Sequence, residues 1–530
     1  MNAIAQATSL QASLEAALPP GTVSSNESIR EFAAHDVYRR GATPILVIRP
    51  TSVADLQTAV RLVTSAGCNV VARGGGASYT DGYVPTDDNT VSFDLAALNK
   101  IVAIDATNMT VTVEAGCTWA DLHSALAAQQ LRTPFFGPFS GIAASVGGSV
   151  SQHAVSHGSG RYGPSADSVL SVDVVLANGA LLRTGSAAFD QADDTQHAFF
   201  RHNGPDITGL FCGDCGAFGI KARVTLPLIK APPYTEALSF HFDSFRALHA
   251  AMRDIAALGL DDENFGLDAA LQQGQIARNA ATKQQLGLAW QVFHRAPSVW
   301  QGLKSIVAIA VAGDRHLREP GYAVSYIVKG HSDKAARHNA SSIRAAALPH
   351  GHEVPNTVPR VVASLPFAPL ENVLGPNGER WVPIHGIVAH DQAVSFHDRF
   401  SALMATYEDR CQTHGVWTGA MFQAIGSSAF LYEIAFYWPD ELQPYHAGTL
   451  DEAFLKRVPK HAPNAAAAAL VDELKEKAIA LYSEIGAVHM QIGKAYPFAG
   501  RLSPPSNNLL QSIKTAVDPQ RVMNPNALGL

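Results

Sequence analysis

Two glycine-rich stretches lie some 60 residues apart, the first directly after an apolar run, and they constrain this chain more than any other feature. The first is Arg73-Gly74-Gly75-Gly76-Ala77-Ser78-Tyr79-Thr80-Asp81-Gly82, directly after the strand-like run NVVA. Consecutive glycines let several backbone N–H groups converge on one anion without interference from Cβ atoms, as a pyrophosphate requires. Read alone, a triple glycine is equally a flexible turn, and its spacing matches neither GxxxxGK[ST] nor GxGxxG. The second stretch runs from Gly137 to Gly163 and contains GPFSGIAASVGG and GSGRYG. A surface loop does not need so many small residues, whereas backbone pressed against a flat, extended ligand does. Two such loops in one domain favour a dinucleotide.

The surrounding pattern predicts an α+β domain. ILVIRP, NVVARGGG, TVSFDL, KIVAID and MTVTVEAG read as strands, with helical spacing at Val53, Leu56, Val60 and Val63 and again at Trp119, Leu122 and Leu126. VLSVDVVLANGALLRTG reads as a hairpin turning at Asn178-Gly179. A last strand meets prolines in KARVTLPLIKAPP, so the first domain is expected to span residues 1–235. Beyond it, ALSFHF, YAVSYIVKG and WVPIHGIVA are separated by single helices, which predicts an antiparallel sheet covered by helices in a second domain over 236–495. The segment HAPNAAAAALVDELKEKAIALYSEIG reads as one strong helix. Residues 259–321 have a helical pattern without a clear place.

Composition narrows the class. Of 530 residues, 47% are hydrophobic and 16% charged, which describes a globular chain of more than one domain. A net charge of −7 argues against a broad nucleic-acid surface, and no run of some 18 apolar residues predicts a membrane span. The first residues carry no Lys or Arg and do not read as a secretory signal. Five scattered cysteines do not make a disulfide framework, so the expected compartment is the cytoplasm. Cys212 and Cys215 form a Cys-x-x-Cys pair without a second pair at zinc spacing, and are expected to be two small buried side chains.

Four segments in order, RGGGASYTDGY, GPFSGIAASVGGSV continuing to GSGRYGPSADSVLSVDVVLANG, GLFCGDCGAFGIKARVTLPL and KTAVDPQRVMNPNALGL, carry a resemblance to the vanillyl-alcohol oxidase and p-cresol methylhydroxylase superfamily over nearly the whole length. The resemblance implies a PCMH-type FAD-binding domain of two α+β subdomains, a C-terminal cap, and a final segment, 496–530, that returns to the first domain. It implies that Gly74, Gly75, Gly76, Ala77 and Ser78, with Arg73, cradle the pyrophosphate. Pro138, Ser140, Gly141, Ala144, Gly147 and Gly148 would line the ribityl chain and flavin, with Gly158, Gly160, Arg161 and Tyr162 serving the cofactor from the same stretch. Gly216, Gly219 and Ile220 would lie near it, and Asn524 would close the site.

Many relatives carry a histidine after the triple glycine and bond it to the flavin. Here Ala77 has no nucleophile, and no cysteine lies between Cys117 and Cys212 to offer the other linkage. Aligning FLYEIAFYWPD with the cap segment that tethers FAD in some branches leaves Tyr432 as the remaining donor, either a tether or an ordinary core tyrosine. Noncovalent FAD is the expectation, and no metal is expected.

For chemistry, His385, His390 and His489 are candidate proton acceptors, each equally readable as a core or surface histidine. Lys494 and Tyr496 stand where alcohol-oxidising relatives bind substrate. Asp167 reads as a structural cap. The expected function is FAD-dependent oxidation of a small, aromatic or phenolic alcohol. The alternatives are a 2-hydroxy acid dehydrogenase of the D-lactate or glycolate type, although only VHMQIG loosely resembles its metal-binding histidine motif, and a flavin-binding protein without turnover. Oxygen, a quinone or a cytochrome are all open as electron acceptor, and a homodimer is compatible with the sequence.

Overall fold

The computed structural model describes residues 3–189, 198–274, 320–367 and 369–530. Most of the unplaced 259–321 segment lies outside them. Strands β1 (Val23–Ser24), β2 (Leu46–Ile48), β3 (Asn69–Arg73) and β4 (Thr90–Asp94) form a sheet in the order β1-β2-β4-β3, with β2, β4 and β3 parallel. The helix Val53–Ser65 makes the crossover from β2 to β3 and buries Leu56, Ala59, Val60 and Val63 against the sheet, as its spacing predicts. The glycine loop leaves directly from the C-terminal end of β3, a largely buried strand.

A second, antiparallel sheet contains β5 (Ile101–Asp105), β6 (Thr110–Glu114), β8 (Ser171–Val175), β9 (Leu181–Arg183) and β10 (Ile220–Pro227) in the order β5-β6-β10-β8-β9. The short strands β7 (Leu131–Arg132) and β11 (Ile229–Lys230) pair beside it. The β8–β9 hairpin turns where Asn178-Gly179 predicts it, with Gly179 at φ +79°.

The third sheet has seven antiparallel strands: β12 (Tyr234–Phe242), β13 (Glu263–Asp268), β14 (Tyr322–Gly330), β15 (His352–Val354), β16 (Arg380–Ala389), β17 (Trp417–Ile425) and β18 (Ala429–Trp438), in the order β15-β12-β14-β13-β17-β18-β16. One face is covered by the helices Phe245–Ala256, Asp333–Ala347, His390–Thr406 and Ala465–Glu484 over a large apolar core. The other face is turned to the first domain. The C-terminal residues return to the first sheet, where Val70 N–H donates to the Val522 carbonyl and Asn524 N–H to the Val70 carbonyl, 2.8 Å each. The whole is α+β, as expected. No described helix is long and apolar enough to cross a membrane.

Candidate functional site: a glycine-lined cavity under the cap

A cavity of about 1270 Å³ lies between the first domain and the open face of the cap sheet. Its floor is made by Gly74, Gly75, Gly76, Ala77 and Ser78, by Pro138, Ser140, Ala144, Gly147 and Gly148, and by Gly216, Gly219 and Ile220. The two loops touch: a Cβ added at Gly75 would lie 1.7 Å from the Ala143 carbonyl oxygen, and one at Gly147 would lie 2.5 Å from the Ala115 Cβ. Glycine is therefore required for the loops to approach. The backbone N–H groups of Gly75, Gly76, Ala77 and Ser78 find no acceptor among the described residues. Four neighbouring donors left open at a cavity wall suit an anion such as a pyrophosphate. The helix Val146–Gln152, capped by the Ser145 hydroxyl accepting from Gly148 N–H, begins beside them.

The back of the first loop is held by side chains. Lys494 Nζ donates to the carbonyls of Asp81 (3.2 Å) and Val84 (2.8 Å) and to Asn524 Oδ1 (2.7 Å). Asn524 Nδ2 donates to the carbonyls of Gly82 (2.7 Å) and Cys215 (2.5 Å). Burial lowers the Lys494 ammonium to about 8. Arg73 folds behind the loop, its guanidinium 4.1 Å from the centre of the Phe32 ring.

Several candidate residues therefore sit elsewhere than the sequence suggests. Arg73 and Asn524 brace the glycine loop from behind and do not line the cavity. Gly141 faces Phe367, Gly158 faces the Pro134 carbonyl, and Gly160 meets Asp261 and Asn264 of the cap. Arg161 is exposed beside the Tyr162 ring, while Gly426 N–H of the cap donates to the Ser159 carbonyl at 3.2 Å, so this part of the second stretch meets the cap. None of the five catalytic candidates lines the cavity. Lys494 is occupied as just described and cannot hold an anionic substrate. His390 begins a helix on the covered face, with Nδ1 3.2 Å from His249 Nε2. His385, His489 and Tyr496 pack together beside the cavity without lining it: the Tyr496 hydroxyl lies 2.8 Å from His385 Nδ1, and the His489 and Tyr496 rings stack at 4.1 Å. Burial lowers His385 to about 3 and His489 to about 4, so both are neutral near pH 7. Tyr432 points into the apolar core, its hydroxyl 2.9 Å from His397 Nδ1.

The cap wall is built by alternation along β18. Leu431, Glu433, Ala435 and Tyr437 line the cavity, while Phe430, Tyr432, Ile434 and Phe436 enter the core. Trp381, Met421, Gln423, Phe265, Leu267 and Leu271 complete this end, which is mainly apolar. Glu433 has no ion-pair partner among the described residues, and burial pushes its carboxyl up to about 7. Sequence reasoning passed over it, although a single carboxylate inside an otherwise apolar, aromatic strand was the available signal. Lys221 is the one lysine or arginine of the described wall, and it is paired with buried Asp214. Cys212 and Cys215 are free thiols, and burial raises them to about 11 and about 12.

The α+β architecture, with a glycine-lined cleft beneath a seven-stranded cap sheet, is a shape suited to an extended dinucleotide. In agreement, residues 44–185 match the family described as "FAD binding domain", so this domain binds FAD. Across the whole fold, the chain superposes on p-cresol methylhydroxylase with a TM-score of 0.72 at 16% identity, covering 99% of this chain and 97% of that one. For 4-ethylphenol oxidase from Gulosibacter chungangensis the TM-score is 0.69 at 17% identity, with the same coverage. By sequence, the chain is 28% identical to the glycolate oxidase subunit GlcD of Bacillus subtilis over 227 residues, 42% of this chain and 46% of that protein. It is 29% identical to D-2-hydroxyglutarate dehydrogenase of Xanthomonas citri pv. viticola over 264 residues, 49% of this chain and 53% of that protein. The aligned region thus spans about half the length of these curated relatives.

Proposed function

We propose that this protein is an FAD-dependent oxidoreductase that oxidises a small, uncharged alcohol or alkylphenol, with Glu433 accepting the substrate's proton. The observation that carries the reading is Glu433, the unpaired carboxyl in the cavity wall, held near 7 by burial. A general base works best when its pKa is close to the working pH, since it is then both ionised and basic enough to take a proton. FAD supplies a two-electron acceptor for the hydride. The chain's own residues would do the rest: the open N–H groups of Gly75 to Ser78 would hold the pyrophosphate, and Trp381, Tyr437, Leu267 and Leu271 would enclose an apolar ring and exclude water. Gly160, which meets Asp261 and Asn264, lets the second loop pack closely against the cap.

The lack of an unpaired cation in the described wall favours an uncharged substrate over a carboxylate, which would need a positive partner in so apolar a site. A second reading, oxidation of a D-2-hydroxy acid, draws on the similarity in sequence to a glycolate oxidase subunit and a D-2-hydroxyglutarate dehydrogenase. Against it, no cluster of three or more potential metal ligands occurs among the described residues. Anaerobic mixing of the flavin-loaded protein with benzylic alcohols, 4-alkylphenols, D-lactate and D-2-hydroxyglutarate tests both. Loss of the oxidised flavin absorbance with the uncharged aromatic compounds supports the first reading. Loss with the hydroxy acids alone refutes it.

A further inference from the structure

The register of β16 and β18 sets His385 directly opposite Glu433. His385 N–H donates to the Tyr496 hydroxyl at 2.9 Å, and the His385 carbonyl accepts from His489 Nδ1 at 2.7 Å. Both backbone groups of His385 therefore point away from β18. This is the kind of antiparallel pair that exchanges no hydrogen bonds across the strands and brings its side chains closest together. Its two side chains leave the same face of the sheet, the face that Trp381, Ala435 and Tyr437 also present to the cavity.

The hydrogen-bond chemistry of the pair is complementary and incomplete. Because the Tyr496 oxygen already accepts the His385 backbone N–H, its own proton is free to go to His385 Nδ1, 2.8 Å away. That leaves the ring proton on Nε2. His385 is fully buried, and Nε2 meets no partner. Across the strand, the Glu433 carboxyl also has no hydrogen-bond partner among the described residues. The buried, unsatisfied imidazole donor costs free energy until an acceptor meets it, and the carboxyl directly across the strand pair is an acceptor without a partner among the described residues.

We propose that His385 is a positioning residue for Glu433, its Nε2–H donating to the Glu433 carboxylate as that group ionises, with Tyr496 holding the imidazole in the tautomer that can donate. The proposal deepens, and rests on, the reading of Glu433 as proton acceptor. It also gives His385 and Tyr496 a role in the chemistry although neither lines the cavity. The other titratable groups around the pair are Tyr79, Tyr482 and His489. Burial raises both tyrosines well above their usual range and lowers His489, so all three stay neutral near pH 7. The carboxyl is thus the member of this cluster that changes charge near neutrality.

The test follows the Glu433 carboxyl in the full, flavin-loaded chain by infrared titration, with its band assigned by difference from Glu433→Gln. Tyr496→Phe keeps the ring and removes the hydroxyl, freeing the imidazole to place its proton on Nδ1. The band's midpoint in Tyr496→Phe is expected at higher pH, with the ratio of ionised to protonated carboxyl at pH 7 lowered by about threefold or more, which corresponds to a midpoint displaced by at least about half a pH unit. The acidic limb of kcat should move with it while KM holds. An unchanged midpoint in folded, flavin-loaded Tyr496→Phe overturns the positioning role. A displaced midpoint combined with full activity of Glu433→Gln overturns the reading of Glu433 as proton acceptor and leaves the hydrogen bond standing, so the two failures are distinguishable.

Discussion

Tyr432 and Glu433 are adjacent in β18 and face opposite ways: the tyrosine hydroxyl bonds His397 in the core, and the carboxyl opens on the cavity. The last candidate for a covalent bond to FAD is thus turned from the cofactor's side of the sheet. Burial also raises the Tyr432 phenol well above its usual range, which disfavours the nucleophilic phenolate. Acid precipitation should accordingly release all the flavin, leaving a yellow supernatant and a colourless pellet. A yellow pellet that becomes colourless in Tyr432→Phe would contradict this.

Gly75→Val would set a branched side chain where even a Cβ meets the Ala143 carbonyl at 1.7 Å, so the two loops must part. Overpacking of this kind costs about 1–3 kcal/mol. Because that strain falls on the open N–H groups, it should appear as flavin affinity weakened by roughly tenfold or more, measured by titrating the flavin-free protein with FAD. Unchanged affinity would mean that this loop is not the cradle.

Lys494→Met removes the donor shared by the Asp81 and Val84 carbonyls and Asn524. Leaving such buried acceptors unsatisfied costs about 1–3 kcal/mol. Denaturant unfolding should show lower stability together with reduced flavin occupancy. If Lys494 served substrate alone, KM would rise while stability stayed constant.

The Glu433 carboxyl is raised from 4.5 to about 7 in the folded chain. Between those values the folded state keeps a proton that the unfolded state has lost, so stability declines as pH rises through that window. Glu433→Gln removes this dependence. Comparing thermal midpoints at pH 5 and pH 8 should show the variant gaining on the wild type at the higher pH, and an equal difference at both would refute the raised value.

The glycine loops were legible because glycine in that number, after a buried strand, answers a local backbone need. The seven-stranded cap was legible as alternating runs and single helices. The chemistry was harder to read. His385, His489 and Tyr496 stand out as polar residues in apolar segments, yet whether such a residue meets a cavity or a neighbour depends on strand register and on which domain covers the strand. Glu433 shows the reverse case: alternation along IAFYW separates its face from that of Tyr432, but only the docking of β18 over the glycine loops reveals which face is which. Lys494 and Asn524 are 30 residues apart and act on a loop more than 400 residues earlier, a contact with no local signature.

The most direct test of the account is the rate at which substrate reduces the flavin in single-turnover, anaerobic mixing, comparing wild type with Glu433→Gln at equal flavin content. Loss of a positioned general base costs about 100-fold to 10,000-fold. With Glu433 as proton acceptor, the loss falls in that range with flavin affinity unchanged, and the wild-type rate rises with pH through about 7. Equal rates in the two proteins would contradict it.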